Sequence, residues 1–238
     1  MIRRLGYACI NMTLGGPDIS KSQRVTTNRT CRLATARELG MDHIRSLVLA
    51  NARDLLTILK WNESQGIRLF RLSSDMCPFI AHPEMGYPIS DLGDEVSDAL
   101  AACGRFALDH GHRISSHPGP FNVLASPSSQ VVDNTIRELD AHASVFDAIG
   151  LPRDHNAKIN IHVGGAYGEP DSALDRWCTN FARLSESARS RLTVENDDRA
   201  SLYSTRDLYD KVYLRTGVPI VFDCLLYTSD AADERLRV

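Results

Sequence analysis

Short apolar runs alternate with amphipathic stretches along the whole chain, and no other feature limits the fold so tightly. The runs at residues 4–10, 67–72, Arg113–Ser116, 158–162, 191–195 and 218–222 have the length and composition of strands. Between them, residues 50–65, Asp94–Asp109, 131–149, 170–184 and 205–216 read as helices. In the third of these, Ile136, Leu139, Ala143, Phe146 and Ile149 recur at helical spacing. Regular alternation of this kind predicts an α/β protein with parallel strands covered by helices, either an open doubly wound sheet or a TIM (β/α)8 barrel. No Gly-x-Gly-x-x-Gly follows the first strand, so no dinucleotide cofactor is expected. Six strands precede residue 223, whereas a complete barrel at this spacing needs about 300 residues. Either the sheet is open with six strands, or a barrel is cut short.

Composition narrows the function. With 43% hydrophobic and 24% charged residues in 238, disorder, collagen-like repeats and coiled coil are excluded. No apolar run approaches the roughly 20 residues of a membrane helix, and Asn11 cuts short the apolar stretch behind the basic start, so neither a membrane partner nor a signal peptide is expected. Six scattered cysteines without a Cys-x-x-Cys pair read as reduced thiols in the cytoplasm. A formal net charge of -3 argues against a protein that holds nucleic acid by bulk charge. It leaves room for a nuclease whose metal ions bring the positive charge. The long polar segment 11–41, after the first strand, is expected to build a binding surface on the C-terminal face of the sheet.

What ends each strand is more telling. The second leads through Ser73-Ser74-Asp75 to His82, and the third ends at His117-Pro118-Gly119. The fourth ends at His162, the fifth at Glu195-Asn196-Asp197-Asp198 and the sixth at Asp223. In parallel α/β folds these ends converge on one face, where active sites lie. Three imidazoles and two or more carboxylates gathered there can bind two or three divalent ions, with Zn²⁺, Mn²⁺ or Fe²⁺ better suited than Ca²⁺ or Mg²⁺. Such ions polarise phosphoryl oxygens and activate water at neutral pH. His110 and His112 flank Gly111 at a helix end and read as caps, while His43, His142 and His155 read as surface residues. Gly164-Gly165-Ala166-Tyr167-Gly168 could cradle a phosphate, although a lone turn of this kind is unspecific. A metal-dependent sugar isomerase or epimerase of the xylose isomerase type would use similar strand-end residues. Phe121 and the basic Arg29, Arg32 and Arg37 favour an open groove over the enclosed pocket an isomerase needs.

Several motifs together give a sharper expectation. Leu5-Gly6-Tyr7 with Asn11, TCRLATARE at 30–38, FRLSSDMCPF at 70–79, the His117-Pro118-Gly119 turn and LTVENDD at 192–198 resemble the UV damage endonuclease family. The resemblance runs from about residue 3 to 223. It implies a TIM barrel related to endonuclease IV, here an incomplete barrel of about six strands. It implies a monomeric DNA repair enzyme that nicks damaged double-stranded DNA 5′ to UV photoproducts, leaving a 3′-hydroxyl and a 5′-phosphate. By the same resemblance His82, His117, His162, Glu195 and Asp223 fall on metal-ligand positions for two or three ions, usually manganese, with Glu195, His117 and His162 carrying catalysis. Tyr7 and Asn11 match residues that contact the flipped-out lesion, which stacks poorly and is cheaper to extrude than normal bases. Pro120 and Phe121 stand where the family usually has Gln and Tyr, so an aromatic wedge survives while a side-chain hydrogen bond is lost. After Asp223 the family continues with a histidine three residues on, where this chain has Leu226. Residues 1–223 are therefore expected to be a single incomplete catalytic domain. CLLYTSDAADE at 224–234 looks like the translation of a sequencing-library adapter, so 224–238 is expected to be non-native and the fragment inactive on its own.

Overall fold

Six strands are present among the described residues, all parallel where paired and taken up in chain order. The computed structural model describes residues 4–197, 199 and 202–224; Asp198, Leu226 and nearly all of the segment set apart as non-native lie outside them. The chain divides into two compact units, one of residues up to 117 with 141–157, the other of 118–140 with 158 onward.

In the first unit β1 (Gly6–Ala8) pairs with β2 (Leu69–Leu72), and β2 with β3 (Arg113–Ser116). A four-residue helix α1 (Met12–Gly15) and the long α2 (Leu33–Ser64) connect β1 to β2, and α3 (Asp94–Asp109) connects β2 to β3. On α2 the buried residues Ile44, Val48, Asn51, Ala52, Leu55, Ile58, Leu59 and Asn62 form one helical stripe. On α3, which packs against α2, the stripe is Val96, Leu100, Cys103, Gly104 and Ala107. Gly104 is where the packing is tightest: a Cβ there would lie 1.7 Å from the Ile149 carbonyl oxygen.

The second unit carries β4 (Ile159–His162), β5 (Leu192–Glu195) and β6 (Ile220–Val221), paired in that order. Between β4 and β5 run α5 (Pro170–Phe181), opened by Pro at its first position, and α6 (Glu186–Arg191), capped by the Ser185 hydroxyl. Between β5 and β6, α7 (Thr205–Leu208) starts with a Ser204–Asp207 capping box and passes through a π-helical turn (Tyr209–Tyr213) into α8 (Leu214–Thr216). The remaining helix, α4 (Ser129–Ile149), lies between β3 and β4 in the chain.

The α/β class read from the sequence is the observed one, and six parallel strands match the number expected. Boundaries differ in instructive ways. The first strand ends at Ala8 rather than residue 10, because Cys9 turns the chain at φ +60°. The helix expected over 50–65 begins at Leu33, and the polar 11–41 segment is thus partly helical. Gly40 interrupts it at φ +69°, ψ -165°, a conformation open to glycine and strained for other residues. His142 is buried, not a surface residue, and His112 is buried too, with Nε2 2.9 Å from Glu63 Oε2. His110 does cap: its ring Nδ1 is 3.0 Å from the Phe106 carbonyl.

Candidate metal centre

The β4–β5 pair shows how the site is built. Its parallel register sets Asn160 opposite Thr193 and His162 opposite Glu195. Because strand side chains alternate, these four share one face, while Ile159, Ile161, Leu192 and Val194 fill the core on the other. The polar face is a relay of hydrogen bonds. Thr193 Oγ1 donates to Asn160 Oδ1 at 2.8 Å, Asn160 Nδ2 donates to Glu195 Oε2, and His162 Nε2 lies 2.9 Å from Glu195 Oε1. Glu195 is only 6% exposed, so its charge depends on these neighbours. Asp197 Oδ1 sits 3.6 Å from His162 Nδ1. The hydrogen bond to Glu195, with the charges of Glu195 and Asp197, holds the His162 imidazole above its usual pKa despite burial.

This arrangement fits a divalent cation. A carboxylate pair that draws a proton onto His162 draws a metal ion by the same field. Imidazole nitrogen with carboxylate oxygen is the donor set of Zn²⁺, Mn²⁺ and Fe²⁺ sites. With Nδ1 turned to Asp197, the ring can carry its proton there and offer the Nε2 lone pair to a metal, and Asn160 fixes the carboxylate from behind. Asn160 was not singled out from sequence; the signal was the polar-apolar alternation of INIH, which places residues 160 and 162 on one face.

The other expected site residues divide by environment. His117 follows β3 directly in the first unit and is half-buried. Asp223 follows β6, where its backbone N–H donates to Asn196 Oδ1 at 2.9 Å and its carbonyl accepts from Asn196 Nδ2 at 3.1 Å. The buried Asn196 thereby continues the β5–β6 pairing with its side chain. His82 is engaged differently: its Nδ1 accepts from the Glu84 and Met85 backbone N–H groups, each at 3.2 Å. A neutral ring so bonded carries its proton on Nε2, which would have to leave before that atom could ligate.

Tyr7 and Asn11 lie in one chain of hydrogen bonds in the first unit. Asn11 Nδ2 donates to the Tyr7 hydroxyl at 2.7 Å, and that hydroxyl donates to Asn62 Oδ1 at 2.6 Å. Asn11 also caps α1 through Oδ1, and burial raises the pKa of Tyr7. The Tyr7 ring meets Phe70 edge-on, with centroids 5.3 Å apart. In the second unit, Gly119-Pro120-Phe121-Asn122 is a β-turn closed by the Asn122 N–H on the Gly119 carbonyl at 3.2 Å. Pro120 presets the turn, and Phe121 stands at its apex with 88% of its surface exposed.

Among the described residues, three other than glycine adopt positive φ: Cys9, Phe79 and Tyr167. They lie on the loops that follow β1, β2 and β4. Such strain concentrates in binding and catalytic loops.

The family model described as UV-endonuclease UvdE matches residues 3–237. A UV-damage endonuclease of Neurospora crassa is 37% identical over 92% of this chain, and one of Schizosaccharomyces pombe 36% identical over 92%. A UV DNA damage endonuclease of Bacillus thuringiensis is 30% identical over 100% of this chain and 71% of its own length. The crystal structure of SacUVDE matches with a TM-score of 0.81 and 32% identity, over 94% of this chain and 70% of that one. The chain spans little more than a third of the length of the two fungal relatives, 37% and 35%. Matched by the family model along nearly its whole length, the chain belongs to the UV-endonuclease family.

Proposed function

We propose that the protein of which this chain is part is a metal-dependent DNA repair endonuclease that incises damaged duplex 5′ to UV photoproducts by phosphodiester hydrolysis. The observation that carries this reading is the buried Glu195 carboxylate facing His162 across the β4–β5 register, on a strand end, with Asn160 behind it. His117 in the first unit, and His162 and Glu195 in the second, are ligand-type side chains at strand ends. We assign them as ligands and as the residues on which catalysis rests. His82 and Asp223 are assigned to a second or third ion, His82 after giving up its Nδ1 hydrogen bonds.

Divalent ions, manganese first among them, supply when bound the Lewis acidity that neutralises charge on the scissile phosphate and activates the attacking water. The protein's own residues orient and exclude. Asn160 holds the Glu195 carboxylate at one angle, and the Asp197 carboxylate faces His162 Nδ1 across 3.6 Å. Tyr7, steadied by Asn11 and Asn62, offers a ring to the extruded lesion, and Phe121 on its Pro120-stiffened turn fills the gap left in the duplex. Among the described residues no helix is long and apolar enough to cross a membrane, and all six cysteines are free thiols. The Neurospora crassa, Schizosaccharomyces pombe and Bacillus thuringiensis relatives are named as UV damage endonucleases, which favours this reading over a sugar isomerase.

The test is a nicking assay on supercoiled plasmid, irradiated or not, with Mn²⁺ or with chelator. It uses this chain and a version completed with the closing strands of a bacterial relative. Relaxed circles from irradiated plasmid with Mn²⁺ alone are expected from the completed version. Equal cutting of unirradiated plasmid, or no cutting by either protein, would overturn the assignment.

A further inference from the structure

Tyr167 and Arg176 are not used by the mechanism above, and neither is explained by core packing. Tyr167 sits on the loop that leaves β4 after His162. It holds φ +53°, which bulky residues rarely adopt, yet 47% of its surface is exposed. Strain of this kind persists only where the surroundings impose it. Here the ring lies beside Gly165, within ordinary van der Waals reach of a Cβ placed there, and the Arg176 guanidinium lies over the ring, 5.7 Å from its centroid. The guanidinium covers part of the ring, and much of the rest faces water.

Arg176 is equally deliberate. Its Nε donates to the Ala125 carbonyl at 2.9 Å and its Nη1 to Ser172 Oγ at 3.0 Å. Neighbouring cations are each matched to an acid: Lys211 to Asp171, Arg183 to Asp133 and Arg215 to Asp175. Arg176 has no carboxylate within ion-pair distance among the described residues. It is half-buried, and it also lines an open cavity of about 390 Å³ bordered by Ser126, Ser129, Thr179, Asn180 and Arg183, and by Asp175, whose carboxylate is paired with Arg215. Hydroxyls, an amide and a preorganised guanidinium are the groups that bind phosphate oxygens. An exposed aromatic ring beside them is what a nucleobase stacks on.

We propose that Tyr167 and Arg176 form a nucleotide subsite, in which Tyr167 stacks on a base of the bound DNA and Arg176 with the adjoining cavity takes the neighbouring phosphate. The subsite rests on the reading of DNA as substrate and extends the contact surface past the metal centre along the α4–α5 side of the second unit. It accounts for the strain at Tyr167, which positions the ring before DNA arrives.

The test is DNA binding by fluorescence anisotropy in chelator, so that nothing is cut, with a duplex carrying a thymine dimer. Partner duplexes carry 2-aminopurine at successive flanking positions. Tyr167→Ala is expected to weaken binding roughly 5- to 150-fold and to abolish 2-aminopurine quenching at one position, whereas Tyr167→Phe retains both. Arg176→Gln is expected to weaken binding and to reduce the slope of log affinity on log salt by about 0.9, the share of one phosphate. If wild type binds and quenches but Tyr167→Ala matches it, the subsite is refuted while the DNA reading stands. If wild type binds no DNA, either in chelator or with a divalent ion supplied, both fall. Equal losses in Tyr167→Ala and Tyr167→Phe with a lowered Tm would show a purely structural tyrosine and refute the stacking role.

Discussion

Replacing Glu195 separates what the carboxylate does for the fold from what it does for a metal. Glu195→Ala removes the acceptor of Asn160 Nδ2 and the partner of His162 Nε2, both at a position only 6% exposed. Each buried bond lost costs about 1–3 kcal/mol, partly offset because a buried carboxylate no longer has to be desolvated. The net loss is about 2–4 kcal/mol, or about 4–16 °C in Tm for a chain of this size. Glu195→Gln keeps an oxygen for Asn160 and turns its amide to the His162 Nε2 lone pair, so its metal-free stability stays within about 1 kcal/mol of wild type. Thermal melts in chelator, followed by circular dichroism, read both. Because the pair raises the His162 pKa, its contribution is complete below about pH 6.5 and is lost as pH rises through the higher folded value. The gap between wild type and Glu195→Ala therefore narrows at high pH. If the alanine and glutamine variants melt together with wild type at every pH, the buried relay Thr193–Asn160–Glu195–His162 does not exist as described.

Three further outcomes follow from the structure. Gly104→Ala forces a methyl against the Ile149 carbonyl, and chemical denaturation should show a loss of at least about 1–3 kcal/mol; wild-type stability would mean α3 does not pack there. Glu63, tied to Arg68 and His112, has its pKa lowered to about 2, and burial lowers that of His112, whose Nδ1 has no partner among the described residues. Both depressed values mean that the unfolded chain binds protons first. Stability should fall as pH drops below about 6.5 and again from about 4.5 towards 2, with the second loss shrinking in Glu63→Gln when urea midpoints are compared. Phe121→Ala, at an apex 88% exposed, should leave stability within about 0.5 kcal/mol and reduce the ratio of affinities for dimer-containing and intact duplex; an unchanged ratio would remove Phe121 from lesion recognition.

Elements with strong local signals were legible to the residue. α3 and β3 fall at Asp94–Asp109 and Arg113–Ser116 as read, since acidic residues open the helix and Gly111 stops it. The start of α2 at Leu33 was hidden because its first turns carry no continuous apolar stripe and Gly40 breaks the periodicity. Burial of His112 depends on Glu63, far away in the chain, and no local pattern announces such a partner. The strand-end positions of His117, His162, Glu195 and Asp223 were readable because each ends a short apolar run. The tautomer that occupies His82 was not, since it is set by two backbone N–H groups in the turn that follows. Asn160 was visible only as one beat of an alternation whose register against β5 the structure supplies.

The central claim is that strand-end imidazoles and a buried carboxylate hold a divalent ion. It is tested most directly by counting bound Mn²⁺, by electron paramagnetic resonance titration, in wild type, His117→Ala, His162→Ala and Glu195→Gln. At least one tightly held ion is expected in wild type, with each substitution weakening its affinity by at least about 10-fold while the Glu195→Gln fold stays intact. Equal Mn²⁺ uptake by all four proteins would contradict it.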